Sequence, residues 1–204
     1  MPADPRANPL ALAVLACLAE RPMHPYEAAS TLRARRKHAS VRLNYGSLYS
    51  VVASLERRGL ITPVETIRAG RRPERTVYAL TDAGSAELHD WLAQLIATPA
   101  RDYTSFEAAL SFLPVLSPRE VLRLLEARAA QLDQALAERL GSRGLLGSTE
   151  VPRLFWVEEE YREALRKAEL EYVRRLIADV ENGSLEGLAW WSDLHGSGVP
   201  GSAA

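Results

Sequence analysis

Asn44, Tyr45, Ser47, Ser50, Ser54 and Arg57 crowd into one short stretch, and Arg71-Arg72 follows a little further on. Leu48, Val52 and Leu55 recur among them at helical spacing. On a helix that buries this stripe, Ser47, Ser50, Ser54 and Arg57 take the opposite face. Such a face suits recognition rather than bond-making. Serine hydroxyls are small enough to let a helix approach a DNA duplex and can bond to bases or phosphates. Guanidinium forks match phosphate oxygens and the edge of guanine. Asn44 and Tyr45 stand just before the helix, a position that also faces a bound duplex. Catalytic sets are missing: there is no glycine-rich phosphate loop and no nucleophile elbow. The four histidines, His24, His38, His89 and His195, keep no ligand spacing with Cys17 or with a pair of carboxylates. Glu158-Glu159-Glu160 reads as a solvated face. No enzyme, metal or cofactor is expected.

The elements that would position this face are legible from caps and periodicity. Asn8-Pro9 opens a first helix whose Leu10, Val14, Cys17 and Leu18 share a side, and Arg21-Pro22 ends it. His24-Pro25 opens a second, with Tyr26, Ala29 and Leu32 on one face. Its basic end, Arg33 to Lys37, reads equally as a solvated helix terminus or a phosphate contact. The third helix starts near Gly46-Ser47, and Gly59 suits its left-handed C-cap. Leu60–Ile67 and Thr76–Leu80 are rich in β-branched residues and predict two strands, joined by a turn that displays Arg71 and Arg72. Thr81-Asp82 caps a fourth helix bearing Leu88, Trp91, Leu92, Leu95 and Ile96. Tyr26, Tyr49 and Trp91 are expected to pack in the core or at a domain junction rather than make contacts.

Beyond Thr98-Pro99 the chain reads as all-helical. Phe106, Leu110 and Leu113 mark a short helix. Ser117-Pro118-Arg119-Glu120 starts a longer one with the pattern of a capping box. Gly141–Ser148 is expected as a loop. A helix from about Glu150 to Glu181 carries a seam of Leu154, Val157, Tyr161, Leu165, Ala168, Tyr172, Leu176 and Val180. That seam is too apolar for an isolated helix, so a second copy of the chain is its expected cover. After Asn182-Gly183 comes a tail, expected to be flexible, with a Trp190-Trp191 pair.

Bulk properties agree. No apolar run is long enough to cross a membrane, and no secretory leader is expected. The single cysteine excludes an intrachain disulfide and fits a cytoplasmic protein. The formal charge of −1 divides unevenly. Residues 1–90 hold 13 Lys/Arg against 9 Asp/Glu, a net of +4, and the remainder hold 12 against 17, a net of −5. A polyanion would therefore bind the front half.

Several segments resemble the PadR family of transcriptional regulators. His24-Pro25-Tyr26-Glu27 is similar to that family's His-Gly-Tyr-Glu segment. Tyr45-Gly46-Ser47-Leu48-Tyr49, running on to Leu55-Glu56-Arg57-Arg58-Gly59-Leu60-Ile61, resembles its third helix and wing entry. Tyr78-Ala79-Leu80-Thr81-Asp82-Ala83-Gly84 resembles its second wing strand, and Glu87 to Leu92 extends the likeness. Pro25 replaces the usual Gly, and Ser50 stands where Pro often follows the Leu-Tyr pair. The likeness is specific over residues 8–97 and looser over 103–182.

The expected fold is mainly α: an N-terminal winged helix-turn-helix with a two-stranded β wing over 8–97, then an all-helical dimerisation domain over 103–182, then the tail, 183–204. The resemblance implies a homodimeric repressor on a near-palindromic double-stranded operator, released by a small, often aromatic, effector. Trp91, Phe106, Phe155 and Trp156 are the candidate effector-binding residues. Two alternatives stay open, a winged-helix protein of another class such as the MarR type, and a protein–protein adaptor that does not use DNA. The ArsR type would need a metal cluster that the sequence lacks.

Overall fold

The computed structural model describes residues 8–67, 75–100, 102–146 and 152–196, with only the backbone described at Tyr45, Thr66, Ile67, Arg75 and from 139 to 146. The chain forms two compact units, divided between Arg101 and Asp102.

In the first unit, α1 (Pro9–Glu20) is apolar on almost every side, and Leu10, Ala11, Ala13, Val14, Leu15, Cys17 and Leu18 are all buried. Such a helix belongs at the centre of a core. It packs against α2 (Pro25–Ala34), α3 (Tyr45–Arg57), β2 (Arg75–Leu80) and α4 (Asp82–Ala97). Each helix starts on the cap its sequence supplies. The side chains of Asn8, His24, Asn44 and Thr81 accept bonds from the backbone N–H of Leu10, Tyr26, Gly46 and Gly84. These satisfy donors that a helix start otherwise leaves open.

The wing is antiparallel. β1 (Ile61–Ile67) pairs with β2 from Ile61↔Leu80 to Ile67↔Arg75, with an irregularity between Pro63 and Glu65. Proline is tolerated there because β1 lies at the sheet edge. On its other side β2 pairs with Met23, whose N–H and C=O both bond to Tyr78 at 3.0 and 3.1 Å. The connection between α1 and α2 thereby adds a one-residue third rung. Arg71 and Arg72, placed by the sequence at the hairpin tip, lie outside the described residues.

In the second unit, α5 (Ser105–Leu110) and α6 (Pro118–Leu146) precede α7 (Val157–Glu181) and α8 (Leu188–Gly196). Val121, Leu125, Val173, Leu176, Val180 and Trp191 form its core. Arg128–Glu169 and Arg174–Asp133 tie α6 to α7 at the surface.

Four expectations are corrected. Gly141–Leu146 is helical, not a loop, and extends α6. Glycine inside a helix costs about 1 kcal/mol against alanine, which an already nucleated helix can carry. The helix expected from Glu150 starts at Val157, after a 3₁₀ turn over Arg153–Trp156 that Pro152 introduces. The tail is not wholly flexible, because Leu188–Gly196 forms α8. Trp191 anchors it: the ring is buried and its Nε1–H donates to the Leu116 carbonyl at 2.8 Å.

The fourth concerns only one end of the apolar seam of α7, which the unit itself covers rather than a second copy. Only its C-terminal end, Leu176 and Val180, is buried, whereas Leu154, Val157, Tyr161, Leu165 and Tyr172 are exposed. Within α7 the seam takes six steps over the 23 residues from Val157 to Val180, slightly more than 3.8 per step, so it swings by about 140° around the helix along its length. The side that packs within the unit is Leu170, Val173, Leu176 and Val180.

Candidate nucleic-acid interface

The third helix is held from behind and at both ends. Leu48, Val51, Val52 and Leu55 are buried against the core. At its C-terminal end Gly59 takes φ +70. The Leu60 N–H bonds to the Leu55 carbonyl at 3.0 Å and the Gly59 N–H to the Glu56 carbonyl at 2.8 Å. This is a Schellman closure, and Leu55 and Leu60 are both buried in the same core cluster.

One hydroxyl then joins three elements. Thr81 Oγ1 donates to the Gly59 carbonyl at 2.7 Å and accepts from the Gly84 N–H at 3.0 Å. A Cβ at position 84 would lie 2.0 Å from the Leu60 carbonyl oxygen, so only glycine lets α4 come this close to the wing root. Arg58 reaches Glu87 of α4 at 3.1 Å. Tyr78 donates its hydroxyl to Glu56 at 3.3 Å, turning that carboxylate toward the wing. Burial first, and then Glu56, raise the Tyr78 hydroxyl pKa above the ordinary tyrosine value.

The outward surface of α3 differs from the sequence reading by part of a turn. Because Val51 is buried beside Leu48, Val52 and Leu55, the face most remote from the core is Gly46, Tyr49, Ser50, Ala53 and Arg57, all exposed. Ser47 is exposed on its flank and Ser54 is half-buried. Tyr49 is 54% exposed and Tyr26 57%, which corrects the expectation of core packing for both. In α2 the buried row is Pro25, Ala28, Ala29 and Leu32, and Tyr26 is rotated off it. Trp91 is buried as expected, and its Nε1 has no hydrogen-bond partner among the described residues.

The polar groups of this surface are partly committed. Asn44 Oδ1 accepts from the Gly46 N–H at 3.0 Å, which leaves its amide N–H groups to donate outward. Ser50 Oγ donates to the Gly46 carbonyl at 3.3 Å, and its lone pairs remain accessible. Arg57 Nε donates to the Ala53 carbonyl at 3.3 Å, which holds the guanidinium along the helix with its two terminal nitrogens outward. Tyr45 is the first residue of α3. This surface can accept and donate hydrogen bonds, and it carries positive charge.

The candidate effector residues fall in different units. Trp91 belongs to the first unit, and Phe106, Phe155 and Trp156 to the second. Phe106 is half-buried with the Arg128 guanidinium 3.7 Å above its ring, an arrangement that favours the cation. Phe155 is exposed and Trp156 half-buried. Among the described residues, no group of three or more His, Cys, Asp and Glu could hold a metal ion. No helix among them is long and apolar enough to cross a membrane.

The sequence profile of the PadR-like family of transcriptional regulators matches residues 14–90, which take in the second half of α1, all of α2 and α3, the wing strands and the first half of α4. The chain carries a PadR-like domain. That is a regulator's domain, not an enzyme's. The negative transcriptional regulator PadR of Bacillus subtilis (strain 168) is 30% identical over 111 residues, covering 54% of this chain. The match spans 60% of that relative's length. Among solved structures, Bacillus subtilis PadR in complex with operator DNA is similar at a TM-score of 0.66 and 23% identity, over 84% of this chain and 98% of that one. The same protein in complex with p-coumaric acid gives 0.67 and 21%, with the same coverage. The Vibrio cholerae virulence activator AphA gives 0.63 and 18%, over 85% and 98%. At these identities the structures establish a shared fold, and the fold extends beyond the PadR-like domain into the second unit.

Proposed function

We propose that this PadR-like chain binds DNA as a homodimer on a near-palindromic operator and represses transcription until a small aromatic ligand releases it. The observation that carries the reading is the outward face of α3. Its small residues, Gly46, Ser50 and Ala53, permit close approach to a major groove, and Arg57 supplies charge at its end. Base edges in that groove offer patterns that hydroxyls, amides and guanidinium groups can tell apart. Asn44 donates with its free amide, Ser47 and Ser54 act from the flank, and Tyr45 sits at the helix start. Arg71 and Arg72 of the wing are assigned to phosphates, which position the protein without specifying sequence.

Repression is supported by the negative regulator of Bacillus subtilis and ligand release by the p-coumaric acid complex. Release is a linkage effect: the ligand must bind the form that does not hold DNA more tightly. Trp91, Phe106, Phe155 and Trp156 are the residues assigned to it. Acting on such an operator, the protein would work in the cytoplasm.

The test is selection of bound sequences from random duplex DNA with the full chain, followed by single-base variants of the enriched site. Ser50→Ala and Arg57→Ala should change preference at particular positions, by about 1–3 kcal/mol for a good contact. Failure to enrich any sequence would overturn the reading.

A further inference from the structure

From Ala28 to Leu55 there is no aspartate or glutamate, and Arg33, Arg35, Arg36, Lys37 and Arg42 all fall within this stretch. The fold makes these cations unequal. Arg35 turns back to α1, where it forms a two-pronged pair with Glu20. Arg36 closes α2 and opens a 3₁₀ turn over Lys37–Ala39. It does so at φ +58 and ψ +15, the one non-glycine residue with positive φ among the described residues. Glycine or asparagine fits that conformation with less strain, so the arginine is not there for the backbone's sake. Arg42 lies between Val41 and Leu43, both of which pack on the core of the first unit. Both neighbours are half-buried while Arg42 between them is exposed, so its guanidinium faces away from that core. Arg33, Leu43, Asn44 and Leu48 border one shallow recess, which puts the end of α2 beside the start of α3.

We infer that the connection between α2 and α3 is a second phosphate-binding element, in which Arg36 and Arg42 grip the backbone of the duplex beside the groove that α3 enters. The inference rests on the DNA-binding reading above. Arg35 is excluded from this element, because Glu20 already occupies its guanidinium. The partner is the sugar–phosphate chain of double-stranded DNA, recognised by charge, so the contact strengthens specific and non-specific binding alike.

The test uses the full chain, an enriched duplex and a scrambled duplex of equal length, with affinity measured over a range of salt concentrations. Arg36→Gly should lower affinity for both duplexes by a similar factor and reduce the salt slope by about 0.9, the share of one phosphate contact. Its thermal midpoint should stay level or rise, since glycine relieves the positive φ, so lost binding cannot be ascribed to lost folding. Arg42→Ala should lower affinity and slope in the same way. Arg35→Gln should leave the slope unchanged. The proposal is overturned if Arg36→Gly and Arg42→Ala keep the wild-type slope, or if Arg35→Gln lowers it equally, which would reduce the effect to net charge. Wild-type protein that binds neither duplex would instead sink the DNA-binding reading itself.

Discussion

Helices α3 and α7 look alike in sequence, each a polar helix with one apolar stripe, yet they are covered in different ways. The stripe of α3 is enclosed by the unit that contains it, with Leu48 and Leu55 each only 1% exposed. That of α7 is enclosed for its last two turns and open before them, with Tyr161 67% and Leu165 52% exposed. Periodicity reveals that a helix has an apolar side, because burial of apolar surface is what the pattern reports. It does not reveal what covers that side. The first unit can complete its own core, whereas the second leaves an apolar surface that the proposed second copy would cover.

The largest expected effect tests the closed side. Leu55→Ala should cost about 2–5 kcal/mol, through lost burial and the cavity left behind. Denaturant unfolding of the first unit should show this loss equally at every protein concentration. A loss that vanishes at high concentration would mean that α3's core also depends on a partner.

A smaller effect tests the open side. Leu165→Asp, on the exposed part of α7, should weaken dimerisation at least about tenfold, or 1.4 kcal/mol. Sedimentation at micromolar concentration should then show monomer, and operator affinity should fall. An unchanged dimer would place the self-association surface elsewhere and leave α7's exposed stripe without an explanation.

The smallest effect concerns how the first unit ties its own helices. Arg35 beside Glu20, and Arg21 beside Glu27, hold both carboxyl groups below the usual glutamate range. A depressed folded-state pKa contributes stability that is present above the unfolded value and lost as pH falls through the folded one. Acidification below the ordinary glutamate pKa should therefore weaken the first unit. Both pairs are largely exposed, so solvent screening keeps each contribution small. Thermal melts of Glu20→Gln against wild type should converge at low pH, and a gap that widened there would contradict the pairing.

How much of this was legible in the sequence depends on how local the cause is. The caps at Asn8 and Thr81, the helix opening at His24, the left-handed Gly59 and the change from helix to strand near Leu60 all arise within a few residues, and they were readable, whereas Asn44, read as a contact residue, also caps α3. The outward face of α3 was readable only in part. One further buried residue, Val51, rotates it toward Tyr49 and Ala53, and that burial is decided by packing against other elements. Tyr26 misled for a similar reason, since Pro25 rather than Tyr26 completes the inward row of α2. The order in α8 depends on a bond between Trp191 and Leu116, 75 residues apart in the chain. No pattern confined to the tail announces such a partner. The isolated Trp-Trp pair was the available sign, because two large rings together seldom both stay in water.

The root of the wing has a consequence for how such a chain can diversify. Thr81, Gly59 and Gly84 fix where the hairpin leaves the body, and the pairing of Ile61 with Leu80 fixes its first rung. None of these anchors depends on how many residues join Ile67 to Arg75. Doubling the length of a flexible connection costs only about 0.6 kcal/mol in closure entropy. Insertions there can therefore lengthen the hairpin's span while α3 keeps its aim. Reach and aim become separately adjustable, so a lineage can alter how far the protein extends along a duplex without rebuilding the helix that faces it.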